Sequence, residues 1–106
     1  MNQVQLLYVT VPSRDLATSI GRALIEDHLA ACINILGEID SIYRWEGALT
    51  ESKEVALIVK TTAANAEAAI ARIKALHPAQ CPAILALPVS GGFAPFLSWI
   101  DSETSA

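Results

Sequence analysis

A chain of 106 residues, 53% hydrophobic and 17% charged, has room for one hydrophobic core, so residues 1–106 are expected to form a single domain. A net charge of −4 without any lysine or arginine cluster argues against nucleic acid and anionic membrane as partners. No apolar run approaches the length of a bilayer span, two cysteines do not make a disulfide framework, and "MNQVQLLYVTVPSRD" lacks the basic segment of a signal peptide. A reducing cytoplasm is therefore the expected location.

"VQLLYVTV" (4–11) is β-branched, apolar on both alternating faces and closed by Pro12, which predicts a buried strand. Ser13 is placed to cap a helix that runs to about residue 28, with Asp15 in its first turn and Leu16, Ile20, Ala23 and Leu24 along one stripe. "AACINIL" (30–36) reads as a second strand, Gly37 as a bend or bulge, and "EIDSIYRW" as resumed extended chain. "EGALTESKE" (46–54) reads as a turn or exposed loop, and "VALIVKT" (55–61) as the third strand. The alanine-rich segment 61–77 predicts a second helix with Thr62 or Asn65 as cap and Pro78 as its stop. "AILALPV" (83–89) is a fourth strand and Gly91-Gly92 a turn. Pro95 opens a short closing helix whose Phe96, Trp99 and Ile100 share a face, and "DSETSA" reads as frayed.

The order strand, helix, strand, strand, helix, strand is that of an α+β, ferredoxin-like βαββαβ sheet, antiparallel, with the two longer helices on one face and a short C-terminal helix. Apolar residues occupy both faces of the first and third strands: Leu6 and Tyr8 against Leu7 and Val9, Val55 and Leu57 against Ala56 and Ile58. Two helices cover one face only. A second copy of the chain is the expected cover for the other.

Five strings in order, "LAACINI" (29–35), "SIYRWEG" (41–47), "EVALIVKT" (54–61), "HPAQCPAILALPV" (77–89) and "FLSWI" (96–100), resemble the divalent-cation tolerance (CutA-type) family. The resemblance spans nearly the whole chain. It implies a ferredoxin-like fold, a homotrimer with sheets pairing between protomers, a kinship with PII-like signalling proteins, and binding of copper or another divalent cation. The family usually carries an aromatic and an acidic residue after His-Pro and a glutamate after the second proline. Here those positions hold Ala79, Gln80 and Ala83, while Cys81 replaces an aliphatic residue and Phe96 a tyrosine.

The chain has only two histidines and two cysteines. His77, at the end of the second helix, reads either as a hydrogen-bonded structural histidine or as a metal ligand. Cys81 is four positions on, but two prolines break any helix between them. Imidazole with thiolate suits copper or zinc, yet two ligands cannot close a tetrahedral site. Cys32 of another copy is the candidate third, if edge strands pair between protomers. His28 reads as a solvated helix cap. No nucleophile elbow, zinc-hydrolase helix or phosphate loop is present, so the chain is read as no enzyme, and no organic cofactor is expected. Tyr43, Trp45, Phe96 and Trp99 are expected to anchor contacts between subunits. The competing reading is a PII-like module that binds a small molecule in clefts between subunits.

Overall fold

The computed structural model describes residues 3–105. Its elements are β1 (Val4–Val11), α1 (Arg14–Glu26), β2 (Cys32–Trp45), β3 (Ala48–Thr62), α2 (Ala63–Leu76), β4 (Ile84–Pro88) and α3 (Ala94–Glu103). The strands form one antiparallel sheet in the order β2-β3-β1-β4. Two βα units wound with the same hand place β1 and β3 in the centre and the later partner of each at an edge. This is the expected split βαβ arrangement.

Local chemistry sets the boundaries. Ser13 takes extended dihedrals and its hydroxyl accepts the Leu16 N–H, giving α1 its cap. The helix ends two residues before the expected stop, because His28 adopts φ +58°. There its Nδ1 lies 3.2 Å from the Glu103 carbonyl oxygen and ties α1 to the end of α3. Pro78 follows the close of α2, as expected. Asn65, one of the two proposed caps, instead donates to Thr62 Oγ1 and to the Thr104 carbonyl.

Alternation sorts the strands into two faces. Leu7 and Val9 pair with Val59 and Leu57, and these four meet Ile20 and Leu24 of α1 and Ala69 and Ile73 of α2. All eight are fully buried, and each large apolar side chain among them stabilises the fold by about 1.5–3 kcal/mol. The opposite face carries Leu6, Tyr8, Ile58, Lys60, Cys32, Leu85 and Leu87. α3 covers part of it: Lys60 Nζ lies 5.3 Å from the centre of the Phe96 ring, and Phe96 stacks on Trp99 at 5.6 Å. Leu85 and Leu87 remain exposed.

Three expectations fail. Residues 46–54 are not a loop: only Glu46 and Gly47 turn, and β3 starts at Ala48. Both turn residues have positive φ (+50° and +81°), the two-residue hairpin whose twist matches its strands. The polar letters of "ESKE" masked an alternating strand with water on both sides. Nor is the C-terminus frayed through residue 105. α3 continues to Glu103, and Thr104 is buried with its hydroxyl bonded to the Ile100 carbonyl. Ala106, the last residue of that expectation, lies outside the described residues. Gly91 and Gly92 lie in irregular chain rather than a hydrogen-bonded turn.

The bulge expected near Gly37 is present. Ile35 pairs with Leu57 and Gly37 with Ala56, leaving Leu36 unpaired, and Gly37 takes φ +108°. β1 ends opposite Val55, so the seven pairs from Ile39–Glu54 to Trp45–Ala48 belong to β2 and β3 alone. They form a two-stranded arm about 23 Å long. The molecule accordingly measures 44 × 26 × 22 Å.

Candidate functional site

A groove of about 790 Å³ opens where β1 stops and the arm continues. Its floor is the arm's face bearing Ile39, Ser41, Tyr43, Ser52 and Glu54. Thr10 and Pro12 close one end, and the 79–83 segment forms the facing wall. His77 and Cys81 both line it; Cys32 does not.

His77 is half-buried at the end of α2, and both ring nitrogens are occupied. Nδ1 accepts the backbone N–H of Ala79 at 3.0 Å. Nε2 lies 2.8 Å from the Thr10 carbonyl oxygen, to which it must donate. The two contacts require the Nε2–H tautomer. The imidazole thus pins the 79–83 wall to the end of β1, and the Thr10 N–H bonded to the Ala83 carbonyl at 3.3 Å holds the wall's far end. Neither nitrogen is open to an ion unless one of these bonds breaks.

Cys81 is exposed and Cys32 half-buried, and both are free thiols. Cys32 stands opposite Lys60 at the start of β2, an edge strand, whereas Cys81 precedes β4, the other edge. One chain therefore brings His77 and Cys81 to one groove and leaves Cys32 across the sheet. Among the described residues, no three His, Cys, Asp or Glu side chains gather closely enough to hold a metal ion. A single chain's donor set does not suit a closed coordination shell.

The four aromatic candidates are all partly exposed, at 40% for Tyr43, 45% for Trp45 and 41% for both Phe96 and Trp99. Tyr43 and Trp45 sit on the groove face of the arm. Ile42 and Leu49, 66% and 73% exposed, stand on its reverse. On that reverse side Lys53 donates to Asp40 at 2.9 Å and lies 3.9 Å from Glu38. The hydrogen bond and charge of Asp40, then the charge of Glu38, hold its pKa above the ordinary lysine value.

Sequence reading missed Ser52 and Glu54, because the segment that bears them was taken as a loop. Their signal was alternation in "ALTESKEV", which puts Thr50, Ser52 and Glu54 on one side and Leu49, Glu51 and Lys53 on the other.

Comparison with known proteins agrees with this architecture. A profile described as "CutA1 divalent ion tolerance protein" matches residues 5–103. The divalent-cation tolerance protein CutA of Thermus thermophilus is 43% identical over 100 residues, covering 94% of this chain and 97% of that one. The human protein CutA is 36% identical over 97% of this chain, which spans only 58% of the human sequence. The crystal structure of CutA from Xylella fastidiosa superposes with a TM-score of 0.94 at 39% identity, covering 97% and 99% of the two chains. The Cut A1 structure from Thermus thermophilus gives 0.93 at 42%, covering 96% and 99%. With the sheet order, the three helices and nearly every residue of the domain accounted for, the chain belongs to the CutA1 divalent ion tolerance family, whose members are tolerance proteins and not enzymes.

Proposed function

We propose that this protein is a homotrimeric, cytoplasmic divalent-cation tolerance protein that binds copper or a related ion through the Cys81 thiolate. The observation that carries this reading is the exposed, unpaired Cys81 in the wall of the groove. A thiolate is a good soft ligand, and a reducing compartment keeps it available. His77, committed to Thr10 and Ala79, serves first to hold that wall, and joins the ion only by giving up a bond. The remaining donors come from water or from another copy, with Cys32 the candidate if β2 of one protomer meets β4 of the next.

Self-assembly is supported by the uncovered face of the sheet and by the free arm. Leu85, Leu87, Tyr43 and Trp45 are an unusual load of apolar surface for a lone domain. Copper titration of the wild-type chain, Cys81→Ser and Cys32→Ser, with light scattering on the same samples, tests both parts. Cys81→Ser should lower copper affinity at least tenfold and leave the trimer intact. Full affinity in that variant would remove the thiol site; a stable monomer at micromolar concentration would remove the assembly.

A second reading, small-molecule binding in the manner of PII-like modules, is favoured by the groove, whose volume fits a small organic ligand.

A further inference from the structure

Glu54 stands in the groove as a half-buried carboxylate. Among the described residues the ion pairs are Lys53 with Asp40 and Glu38, and Arg72 with Asp27; none reaches Glu54. Lys53, the other charged residue at the rim, is held on the far side of the arm by its two carboxylates. The groove's uncompensated charge is therefore that of Glu54.

The neighbours of Glu54 orient it. Ser52 donates its hydroxyl proton to Glu54 Oε1 at 3.4 Å, and the Tyr43 hydroxyl lies 3.3 Å from Ser52 Oγ. Because the Ser52 proton is committed to the carboxylate, Tyr43 is the donor to Ser52. The relay runs Tyr43 to Ser52 to Glu54. It leaves Glu54 Oε2 and a lone pair of Tyr43 as acceptors, with no donor of the relay left to offer an anion. Tyr43 also lines the groove, and an aromatic ring attracts a cation. Ile39, the cross-strand partner of Glu54, adds an apolar wall.

From this arrangement we propose that the groove binds an organic ammonium ion, an alkylamine in its protonated form, with Glu54 as counter-ion and Tyr43 and Ile39 as the contacts for its ammonium flank and alkyl chain. At the Glu54 end of the groove the relay offers acceptors and a negative charge, which select a cation; the aromatic and aliphatic residues beside it select an organic cation over a hydrated inorganic one. The assignment rests on the small-molecule reading of the groove and uses neither thiol, so its failure leaves the copper reading untouched.

The test is titration of the isotopically labelled 106-residue chain with butylammonium chloride, against sodium chloride at equal ionic strength, followed by backbone amide shifts. Saturable shifts are expected at Ser52, Glu54 and the 79–83 wall, and none from sodium. Glu54→Gln, nearly isosteric, should weaken binding at least tenfold; Ser52→Ala, which removes the orienting donor, should weaken it several-fold. Glu67→Gln, on the exposed side of α2, should leave it unchanged. Equal affinity in wild type and Glu54→Gln overturns the proposal, as does the absence of saturation. Loss of self-assembly in Glu54→Gln without amine binding in the wild type also overturns it, since the cation would then be a side chain of a neighbouring copy.

Discussion

Truncating His77 to alanine removes the donor to the Thr10 carbonyl and the acceptor for the Ala79 N–H in one step. The exposed Ala79 N–H finds water, whereas the part-buried Thr10 carbonyl is left unsatisfied at a cost of about 1–3 kcal/mol, so His77→Ala should lower the unfolding free energy within that range in urea titration. A change below about 0.5 kcal/mol would mean that water replaces both bonds, and the anchoring role would fall. Cys81, exposed and bonded to nothing in the fold, should show the opposite behaviour: its removal touches ligand binding and not stability. The contrast marks what single residues reveal in sequence. That His77 ends a helix was legible from Pro78 and the preceding alanine-rich stripe. That its δ nitrogen receives the Ala79 N–H was not, since a two-residue backbone contact leaves no compositional trace. Glu54 was obscured for a different reason: without cover from β1 or a helix, its strand has no hydrophobic period to announce it.

At the scale of elements, the first strand and both long helices were legible because each packs an apolar stripe against the core, and periodicity records burial; the fourth strand was legible from its apolar run, although only Ile84 packs on the core. The β2–β3 arm packs against nothing in its own chain; its β2 half was legible as the extended "EIDSIYRW", and the reading broke down on its β3 half, residues 48–54. Its turn, expected within 46–54, was not narrowed to two residues, since Glu46-Gly47 is not the usual asparagine–glycine or aspartate–glycine pair. Glu46 holds a left-handed conformation at φ +50°, which costs a side chain of its type about 1 kcal/mol, and asparagine tolerates it better. Glu46→Asn should therefore raise stability by roughly 0.5–1 kcal/mol, visible as a higher denaturant midpoint at unchanged slope. A lower midpoint would show that the glutamate makes a compensating contact in the assembled protein. The C-terminal helix teaches a related lesson. "DSETSA" looks polar and loose, yet Thr104 is buried, Asn65 reaches its carbonyl and His28 reaches that of Glu103, so its order comes from side-chain contacts and not from hydrophobic pattern.

For the whole molecule the deciding fact is the arm, a two-stranded ribbon with apolar side chains on both surfaces. A lone ribbon is marginally stable in water, and Tyr43 and Trp45 on one side with Ile42 and Leu49 on the other put large apolar side chains among the polar ones on both faces. In the proposed assembly the arm is the part that meets other copies. Tyr43→Ala combined with Trp45→Ala should shift the protein towards monomer at micromolar concentration while keeping the circular dichroism of the folded domain. A trimer that survives both substitutions would move the interface to the remaining uncovered sheet around Leu85 and Leu87. The arm's bearing is set at its root by one unpaired residue, Leu36. Deleting Leu36 leaves every cross-strand partner from Gly37 to Trp45 unchanged and removes only the extra twist that a bulge imposes. The arm then acts as a lever: a change of direction of about 20° at its base, the size of an ordinary strand-to-strand rotation, swings a tip about 23 Å away through some 8 Å. Deletion of Leu36 should yield a folded chain that aims Trp45 past its target and assembles at least tenfold more weakly by analytical ultracentrifugation. One residue without a cross-strand partner thereby sets where the far end of the ribbon can meet another copy.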